Sequence, residues 1–345
     1  MNGGLASRSS ASLMPAFARS FRLVMGVAAL FAAGCVPTSF LITPVAASPT
    51  LEEFVVQRES IWAAKRIAII ELEGVISNRR STTLLGLSEP NPVVEFKERL
   101  DAAAADDRVK AVVLRINSPG GGVTASDMMY QELLSFRQRT AKPVIACMMD
   151  VAASGGYYVA CGADEIYAQP TTVTGSVGVI MLTLDVSKGL DYIGVRPNVI
   201  KSGAMKDAGS PFREMRDEDR KVFQSMIDQM YERFLNVVAR ARKSIPPDDL
   251  RKLCDGRVFL ADDARQLGLI DGVGTLGDAI LAAKRAARIE RRKVVVVQYG
   301  RSLSYRPNIY AHQPAPPGTV VNQFMFDVPS WLAGGGPEFM YLWKP

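Results

Sequence analysis

The stretch VKAVVLRINSPGGGVTASDMMYQELLSFRQRTAKPVIACMM, residues 109–149, decides the fold class. Its two ends, residues 109–117 and 143–149, are short apolar runs of the kind that form buried strands. Between them, residues 124–140 have the apolar spacing of a helix. Two strands joined by a helical crossover form a βαβ unit, in which the strands are parallel. This stretch therefore predicts an α/β fold with a largely parallel sheet.

Further segments on both sides continue the alternation of strand and helix. They are, in chain order, strand 66–76, helix 91–105, helix 217–244, helix 261–268, helix 276–288 and strand 293–299. Repeated units of this kind build one layered domain around a central sheet. We therefore expect an α/β domain over residues 65–300, preceded by a connector over residues 48–64 and followed by an irregular tail over residues 301–345.

The N-terminus has the charge distribution of a membrane-directed segment. Residues 1–22 contain arginine and no acidic residue, and residues 23–47 carry no charge. About 20 apolar residues cross the hydrocarbon core of a bilayer, so residues 23–47 are long enough to do so. Three interpretations remain open: an uncleaved transmembrane anchor, a signal peptide cut after Ala47, and a lipoprotein signal that ends at Cys35. All three place the rest of the chain outside the cytoplasm, because the arginines favour an inside N-terminus.

The histidine count restricts the possible chemistry most strongly. The chain has one histidine, His312, which lies in the proline-rich tail and outside every predicted element. A Ser-His-Asp triad, a Cys-His dyad and a multi-histidine zinc site each need a histidine held by packed neighbours. If the chain is an enzyme, its base is therefore expected to be lysine, aspartate or glutamate.

The charge and cysteine counts argue against two further classes of function. The net charge of +6 is too small and too dispersed an excess to indicate nucleic-acid binding. The four cysteines form no CxxC pair, so neither a disulfide framework nor a cysteine metal site is expected. We interpret Cys147 and Cys161 as buried thiols.

Three glycine-containing turns follow predicted strands, where an open α/β sheet places its ligand site. The first is NSPGGG, residues 117–122. Glycines let backbone N–H groups converge on an anion or a developing oxyanion, and Gly121 is a candidate donor. The motif is neither GxGxxG nor a P-loop, because no lysine follows in the required place. A plain tight turn is the alternative interpretation.

The second turn is AASGGYY, residues 152–158. It places Ser154 between small residues at a strand-to-helix junction, where we expect the serine to be exposed. The N–H of Gly155 at the helix start could join that of Gly121 around one oxygen atom. Ser154 acting as a helix N-cap is the alternative.

The third turn is TGSVG, residues 174–178, and it is followed by KSGAMKD, residues 201–207. Without histidine, a serine nucleophile can be activated by a lysine whose neutral amine accepts the proton. The hydroxyl of Ser176 could orient such a lysine. The alternative for Lys206 is a surface lysine beside Asp207.

These four motifs, in this order and spacing, resemble the signal peptide peptidase A family, the serine peptidases of family S49. The match is colinear from about residue 66 to about residue 300. By resemblance, Ser154 is the nucleophile and Lys206 the general base, while Gly121 and Gly155 donate to the oxyanion and Ser176 holds the lysine. Lys206 is preferred to Lys201, because the family's base is the lysine that precedes aspartate in KSGxxKD.

The resemblance also implies a fold and an assembly. The fold is the ClpP/crotonase-like α/β spiral. Short-form members form membrane-anchored, dome-shaped homo-oligomers, for which an octamer is expected, with serine and lysine contributed by adjacent subunits. The implied substrates are remnant signal peptides and other apolar peptides, cleaved outside the cytoplasm at a bacterial inner membrane. The resemblance implies no cofactor, no metal and no nucleic-acid partner.

Two other functions remain open. A crotonase-like acyl-CoA hydratase would share the fold and the backbone oxyanion hole, but an exported chain argues against it because CoA esters are cytoplasmic. A non-catalytic membrane scaffold would keep the fold alone, and the presence of both Ser154 and Lys206 argues against it.

The end of the tail, PEFMYLW at residues 337–343, resembles the apolar C-termini of bacterial members. It either lies in the substrate groove as a product or autoinhibitor, or packs on a neighbouring subunit.

Overall fold

The computed structural model describes residues 51–79, 91–301, 308–309 and 338–343. The predicted membrane segment 23–47, with Cys35, and the tail residue His312 lie outside these ranges. Within them, none of the helices combines the length and the apolar character that crossing a membrane requires.

The described residues form twelve strands and eight helices. The strands are β1 Glu52–Arg58, β2 Lys65–Glu73, β3 Val109–Ser118, β4 Gly120–Gly122, β5 Val144–Ala153, β6 Glu165–Ala168, β7 Val173–Gly175, β8 Ile180–Leu182, β9 Val258–Leu260, β10 Gly272–Val273, β11 Val294–Gly300 and β12 Glu338–Leu342. The helices are α1 Pro92–Ala105, α2 Val123–Thr140, α3 Gly155–Ala160, α4 Ser187–Tyr192, α5 Asp217–Ala241, α6 Pro247–Leu253, α7 Ala261–Gln266 and α8 Leu276–Ala286.

The main sheet confirms the α/β prediction. Its strand order is β1-β11-β2-β3-β5-β6-β10, and β7 and β9 extend it beside β5. Every pair from β11 to β10 is parallel, and β7 also runs parallel to β5. Strands β1 and β9 pair with their neighbours in the antiparallel sense. The central strands are buried on both faces, which is why they are continuous runs of valine, isoleucine and leucine.

Helices cover both faces of this sheet. One face packs mainly against α1, α2, α3 and α5, and the other packs against α8. Cys147 lies on a central strand and Cys161 follows α3, and both are buried as predicted. Burial raises the pKa of each thiol to about 12, so these cysteines are protonated at neutral pH.

The regions expected to be a connector and an irregular tail each contain a strand. Residues 52–58 form β1, which pairs with β11 at the edge of the sheet. Only Val56 of this strand is buried, because an edge strand leaves most of its side chains in solvent. The tail contributes β12, which pairs with β4 on one side and β8 on the other. Both strands were missed because their pairing partners are far away in the sequence.

Candidate active site

Ser154 occupies a sharp turn between β5 and α3. Its backbone has φ 50° and ψ −114°, a conformation that costs a non-glycine residue about 1–3 kcal/mol. The surrounding hydrogen bonds hold it there: the Ser154 amide donates to the carbonyl of Gly175 at 2.8 Å, and the Tyr158 amide donates to the Ser154 carbonyl at 2.8 Å. The residue is 1% exposed, so the expectation of an exposed serine is wrong. Ser154 stands at the N-cap position of α3, but its side chain makes no capping hydrogen bond to that helix.

Ser176 lies directly beside this turn, as the motif order suggested. Its backbone is also left-handed, with φ 52°, and follows Gly175 at φ 88°. The Ser176 amide donates to the carbonyl of Arg257 at 2.7 Å. The Gly175 carbonyl accepts a hydrogen bond from the Ser154 amide. The ends of β5 and β7 therefore place Ser154 and Ser176 in adjacent turns.

The glycines predicted to form an oxyanion hole are packed too tightly for any side chain. A Cβ on Gly121 would overlap the carbonyl of Ile76, and one on Gly155 would overlap the hydroxyl of Ser126. Gly120 has φ 99° and lies beside Gly155. A Cβ on Gly120 would lie 2.6 Å from the Gly155 nitrogen. The glycine turn and the Ser154 turn, 35 positions apart by number, are therefore in direct backbone contact.

The tail strand β12 lies against these glycines. In the antiparallel ladder Tyr341 is the partner of Gly121, and the Trp343 amide donates to the carbonyl of Pro119 at 2.8 Å. A Cβ on Gly155 would lie 3.1 Å from the Tyr341 carbonyl oxygen, and one on Gly120 would overlap that oxygen. The Tyr341 carbonyl therefore lies between the two turns that the sequence identified.

The side chain of Tyr341 fills an aromatic pocket beside this contact. Its ring stacks on Tyr158, with centroids 5.2 Å apart, and lies 4.7 Å from the ring of Phe234. Its hydroxyl donates to the carbonyl of Met230 at 2.8 Å. Burial raises the pKa of the Tyr341 hydroxyl, so it stays protonated and keeps its hydrogen to donate. Nothing in the sequence reasoning identified Phe234 or Met230 as part of a site, because α5 reads as an ordinary amphipathic helix.

The KSGAMKD segment lies in residues 180–215, a largely exposed stretch that we call the arm. Lys206 is exposed, and among the described residues its amine makes neither a hydrogen bond nor an ion pair. Lys201 instead is the lysine beside Asp207, with its amine 2.7 Å from both carboxylate oxygens. No hydrogen bond joins Lys206 to Ser154 in the described part of the chain, so one copy does not assemble the predicted dyad.

A charge network centred on one buried aspartate lies at the base of this arm. Asp219 at the start of α5 is fully buried and accepts hydrogen bonds from Arg216 and Arg213. Arg213 also bonds Asp207 at 3.0 Å. Hydrogen bonds from Arg213 and then Lys201 hold the pKa of Asp207 well below its usual range. The Asp207 carboxylate is therefore paired with Arg213 and Lys201.

Comparison with known proteins assigns this chain to a family. The model of peptidase family S49 matches residues 136–290, which contain Ser154, Ser176 and Lys206. The Clp protease model matches residues 76–174, which contain both glycines of the predicted oxyanion hole. A protein of Synechocystis that is named as a protease is 36% identical over 231 residues, covering 67% of this chain and 77% of that protein. The chain belongs to peptidase family S49.

Two other relatives are matched over a smaller share of their own length. A protein of Enterococcus faecium named for a signal peptide peptidase SppA is 34% identical, over 67% of this chain and 66% of its own length. The chloroplastic serine protease SPPA of Arabidopsis thaliana is 36% identical, over 71% of this chain and 36% of its own. The chain thus spans less than two thirds of each of these relatives. Membership in S49 confirms the resemblance, and the Clp protease match agrees with the ClpP-like α/β fold.

Proposed function

We propose that this S49 member is a serine endopeptidase that binds an extended peptide between β4 and β8 and cleaves it with Ser154. The observation that carries the proposal is the position of β12. Among the described strands, β4 and β8 are joined through β12, which pairs with both. A substrate strand in the same place would gain main-chain hydrogen bonds on two sides, the mode of recognition called β-augmentation. Its carbonyl would face the amides of Gly121 and Gly155.

The chemistry follows the Ser-Lys variant of acyl transfer. The neutral amine of Lys206 takes the Ser154 proton as the Oγ attacks the peptide carbonyl. The resulting oxyanion is stabilised by the Gly121 and Gly155 N–H groups. On collapse, the C–N bond breaks and the leaving amine takes the proton from Lys206, leaving an acyl-enzyme. Water then attacks the ester, Lys206 accepts its proton, and that proton returns to Ser154 as the acid product leaves.

Lys206 is supplied by a neighbouring copy in this proposal. Ser154 is buried and Lys206 is exposed on the arm, without a hydrogen bond between them. The arm also exposes large apolar side chains: Tyr192 is 93% exposed and Ile200 is 97% exposed. Contiguous exposed apolar residues mark interaction surfaces. A homo-oligomer, with the octamer as the expected form, would bury them and bring the lysine to the serine.

The substrate class and location belong to the same proposal. The uncharged segment 23–47 supports attachment to a bacterial inner membrane, with the domain outside the cytoplasm. The Enterococcus relative is named for signal peptides. Cleaved signal peptides and other apolar peptides are thus the proposed substrates, and a strand-like binding mode suits chains without tertiary structure.

Mixed oligomers test the nucleophile, the base and their separation between copies. Ser154→Ala and Lys206→Ala chains are each expected to lose peptide hydrolysis, whereas the matched exposed controls Ser202→Ala and Lys221→Ala keep it. Co-expression of the two inactive chains should restore about a quarter of native activity, because random pairing unites an intact Ser154 with an intact Lys206 at that frequency.

Each failure has a distinct meaning. Full activity in either single variant overturns the assigned dyad. If mixed oligomers assemble but recover no peptide hydrolysis, Ser154 and Lys206 must act within the same chain. A native chain that is inactive on every peptide, while folded and assembled, favours the scaffold alternative.

A further inference from the structure

The hydroxyl of Ser118 ties the glycine turn to the residue that follows β2. Ser118 is fully buried. Its hydroxyl donates to the carbonyl of Gly74 at 2.6 Å and accepts from the amide of Gly120 at 3.1 Å. The hydroxyl thus acts as donor and acceptor at once, so its loss would leave two buried backbone groups without this partner. The bond to Gly120 holds the peptide unit that leads into Gly121.

Backbone pairing with Ile76 sets the direction of the next amide in the turn. The Ile76 amide donates to the Gly120 carbonyl, and the Gly122 amide donates to the Ile76 carbonyl, both at 2.8 Å. Gly121 is the residue opposite Ile76 in this parallel bridge. Because its two neighbours make the bonds to Ile76, the N–H of Gly121 points to the other edge of the strand. That is the edge on which β12 lies.

Ser118 also contacts the second turn of the site, at the start of α3. It is the ladder partner of Ala152, two residues before Ser154. A Cβ on Gly156 would lie 2.8 Å from the Ser118 carbonyl oxygen and 3.5 Å from the Ser118 Cβ. Gly156 follows Gly155, whose N–H is the second proposed oxyanion donor. Ser118 therefore contacts the residue next to each of the two proposed donors.

An oxyanion hole depends on the relative placement of its donors. Two N–H groups stabilise the developing charge when both lie about 2.7–3.1 Å from the same oxygen atom. A misplacement of about 1 Å can cost about a hundredfold in rate. Glycines have no side chain with which to fix such a distance, so a neighbouring group has to hold the turn. Ser118 does this through a hydrogen bond on one side and close packing on the other.

We infer that Ser118 is a positioning residue, which sets the direction of the Gly121 amide and its separation from the Gly155 amide. The inference rests on the proposed peptidase function and goes beyond it, because it gives a role to a side chain that touches neither the substrate nor the reacting atoms. The oxyanion exists only during the reaction, so well-placed donors favour the transition state over the bound peptide. Loss of the Ser118 hydroxyl should therefore lower kcat and leave KM nearly unchanged.

Ser118→Ala in the full chain tests this role, with Thr172→Val as the matched control. Each substitution removes one hydroxyl from a fully buried side chain, and that of Thr172 bonds to the carbonyls of Met148 and Met149, outside the glycine turn. On an internally quenched peptide, Ser118→Ala should lower kcat by about ten- to a hundredfold. Thr172→Val should keep kcat and KM near native. Unchanged kcat in Ser118→Ala, or equal falls of kcat in both variants, would overturn the inference.

A peptide aldehyde separates misplaced donors from a weakened peptide site. The Ser154 Oγ bonds to the aldehyde carbon and its proton passes to the aldehyde oxygen, which then lies where the oxyanion would form. The matching peptide alcohol cannot make this bond. In Ser118→Ala the inhibition constant of the aldehyde should rise in proportion to the fall in kcat/KM, and that of the alcohol should stay near native. Equal rises for both compounds would assign the effect to peptide binding and overturn the inference.

Two further measurements cover a poorly folding variant and an inactive chain. Ser118→Cys keeps a weaker donor and acceptor in the same place, so its kcat should lie between those of the native and Ser118→Ala chains. By hydrogen–deuterium exchange of the full chain, the Gly120 amide should exchange faster in Ser118→Ala than in Thr172→Val, because it has lost its acceptor. If the native chain hydrolyses no peptide, the proposed function fails, and this faster exchange would still support the role of Ser118 in holding the turn. Unchanged exchange would overturn that role.

Discussion

The amide of Ser154 donates to the carbonyl of Gly175 at 2.8 Å, and this bond joins two turns that both leave the sheet in a left-handed conformation. Ser154 has φ 50° and Ser176 has φ 52°. Neither backbone is favourable for serine by itself, so the neighbouring strands must hold both. The parallel pairing of β5 with β7 supplies that support, since Ala153 is the ladder partner of Gly175. The position of Ser154 thus depends on the TGSVG turn as much as on its own motif.

Alanine substitution at two adjacent glycines of the first turn, Gly121 and Gly122, should affect kcat and stability differently. Gly121→Ala would drive a methyl group into the Ile76 carbonyl, which must shift together with the Gly121 amide, the proposed oxyanion donor. We expect at least a hundredfold loss of kcat, the scale seen on removing one oxyanion donor, with about 1–3 kcal/mol lost in stability. Steady-state kinetics and thermal melting measure both effects.

Gly122→Ala is the matched control for that substitution. Its methyl group would lie 3.8 Å from the Ile76 oxygen and 3.9 Å from the Ala125 Cβ, which are ordinary contacts. Gly122 precedes α2, where alanine is a poorer N-cap than glycine, so we expect a loss below about 1 kcal/mol and nearly native kcat. If both variants lose kcat equally, Gly121 has no special role.

The tail strand should compete with added substrate. Tyr341 is fully buried, and truncating such an aromatic residue costs about 3–5 kcal/mol of packing. Tyr341→Ala is therefore expected to free the β4–β8 slot and lower the KM for a test peptide by about tenfold or more, the benefit of removing a tethered competitor. Progress curves on the full-length chain measure this change.

Trp343→Ala provides the comparison for the tail. The Trp343 hydrogen bond to Pro119 is made by the backbone amide, so it survives loss of the side chain. We expect a KM close to that of the native chain. A native KM in the Tyr341→Ala chain as well would show that the tail does not compete, and would favour packing on a neighbour.

Local patterns were sufficient for the central sheet and for the turns of the site. Valine and isoleucine runs predicted β2, β3, β5 and β11 to within a few residues, because strands buried on both faces have a distinct composition. The turns that hold Gly121, Ser154 and Ser176 follow those strands, so their contact comes from the parallel topology. Only the resemblance assigned them roles.

Long-range pairing could not be predicted from local patterns. Strand β12 is only five residues long and lies about 200 positions from β4 in the numbering, and nothing local specifies that partner. The aromatic pocket depends on this pairing, since Tyr341 reaches Phe234 only when β12 is in place. The exposed position of Lys206 agrees with the alternative of a surface lysine, which the sequence had left open.

A buried ion pair on the sheet tests the stability of the scaffold apart from the chemistry. Glu71 of β2 and Arg115 of β3 are ladder partners, and their buried side chains form an ion pair. Glu71→Ala would leave a buried guanidinium without its carboxylate, which typically costs about 3–5 kcal/mol. Urea denaturation should show this loss, and Glu73→Ala, an exposed acidic residue on the same strand, should lose far less. Equal losses would contradict a special role for the pair.

The charge network under the arm predicts a specific acid sensitivity. Hydrogen bonds from Arg213 and Lys201 lower the pKa of Asp207, and those from Arg216 and Arg213 lower the pKa of Asp219. An unfolded aspartate titrates near about 3.9. Because the folded values are lower, the stabilisation is complete above about pH 4 and is lost as pH falls further. Thermal melting between about pH 7 and pH 2 should therefore show a steep decline beginning near pH 4.

Asp207→Asn should lower the melting temperature at neutral pH and flatten the decline below pH 4, because the substituted side chain has no proton to gain. Asp191→Asn, at an exposed position on α4, should leave both the neutral value and the slope near native. The same Asp207→Asn chain should also lose peptide turnover at neutral pH, since Arg213 and Lys201 would no longer hold the segment that carries Lys206. An unchanged acid slope would show that the network contributes no pH-dependent stability, and unchanged turnover would show that Lys206 is positioned without it.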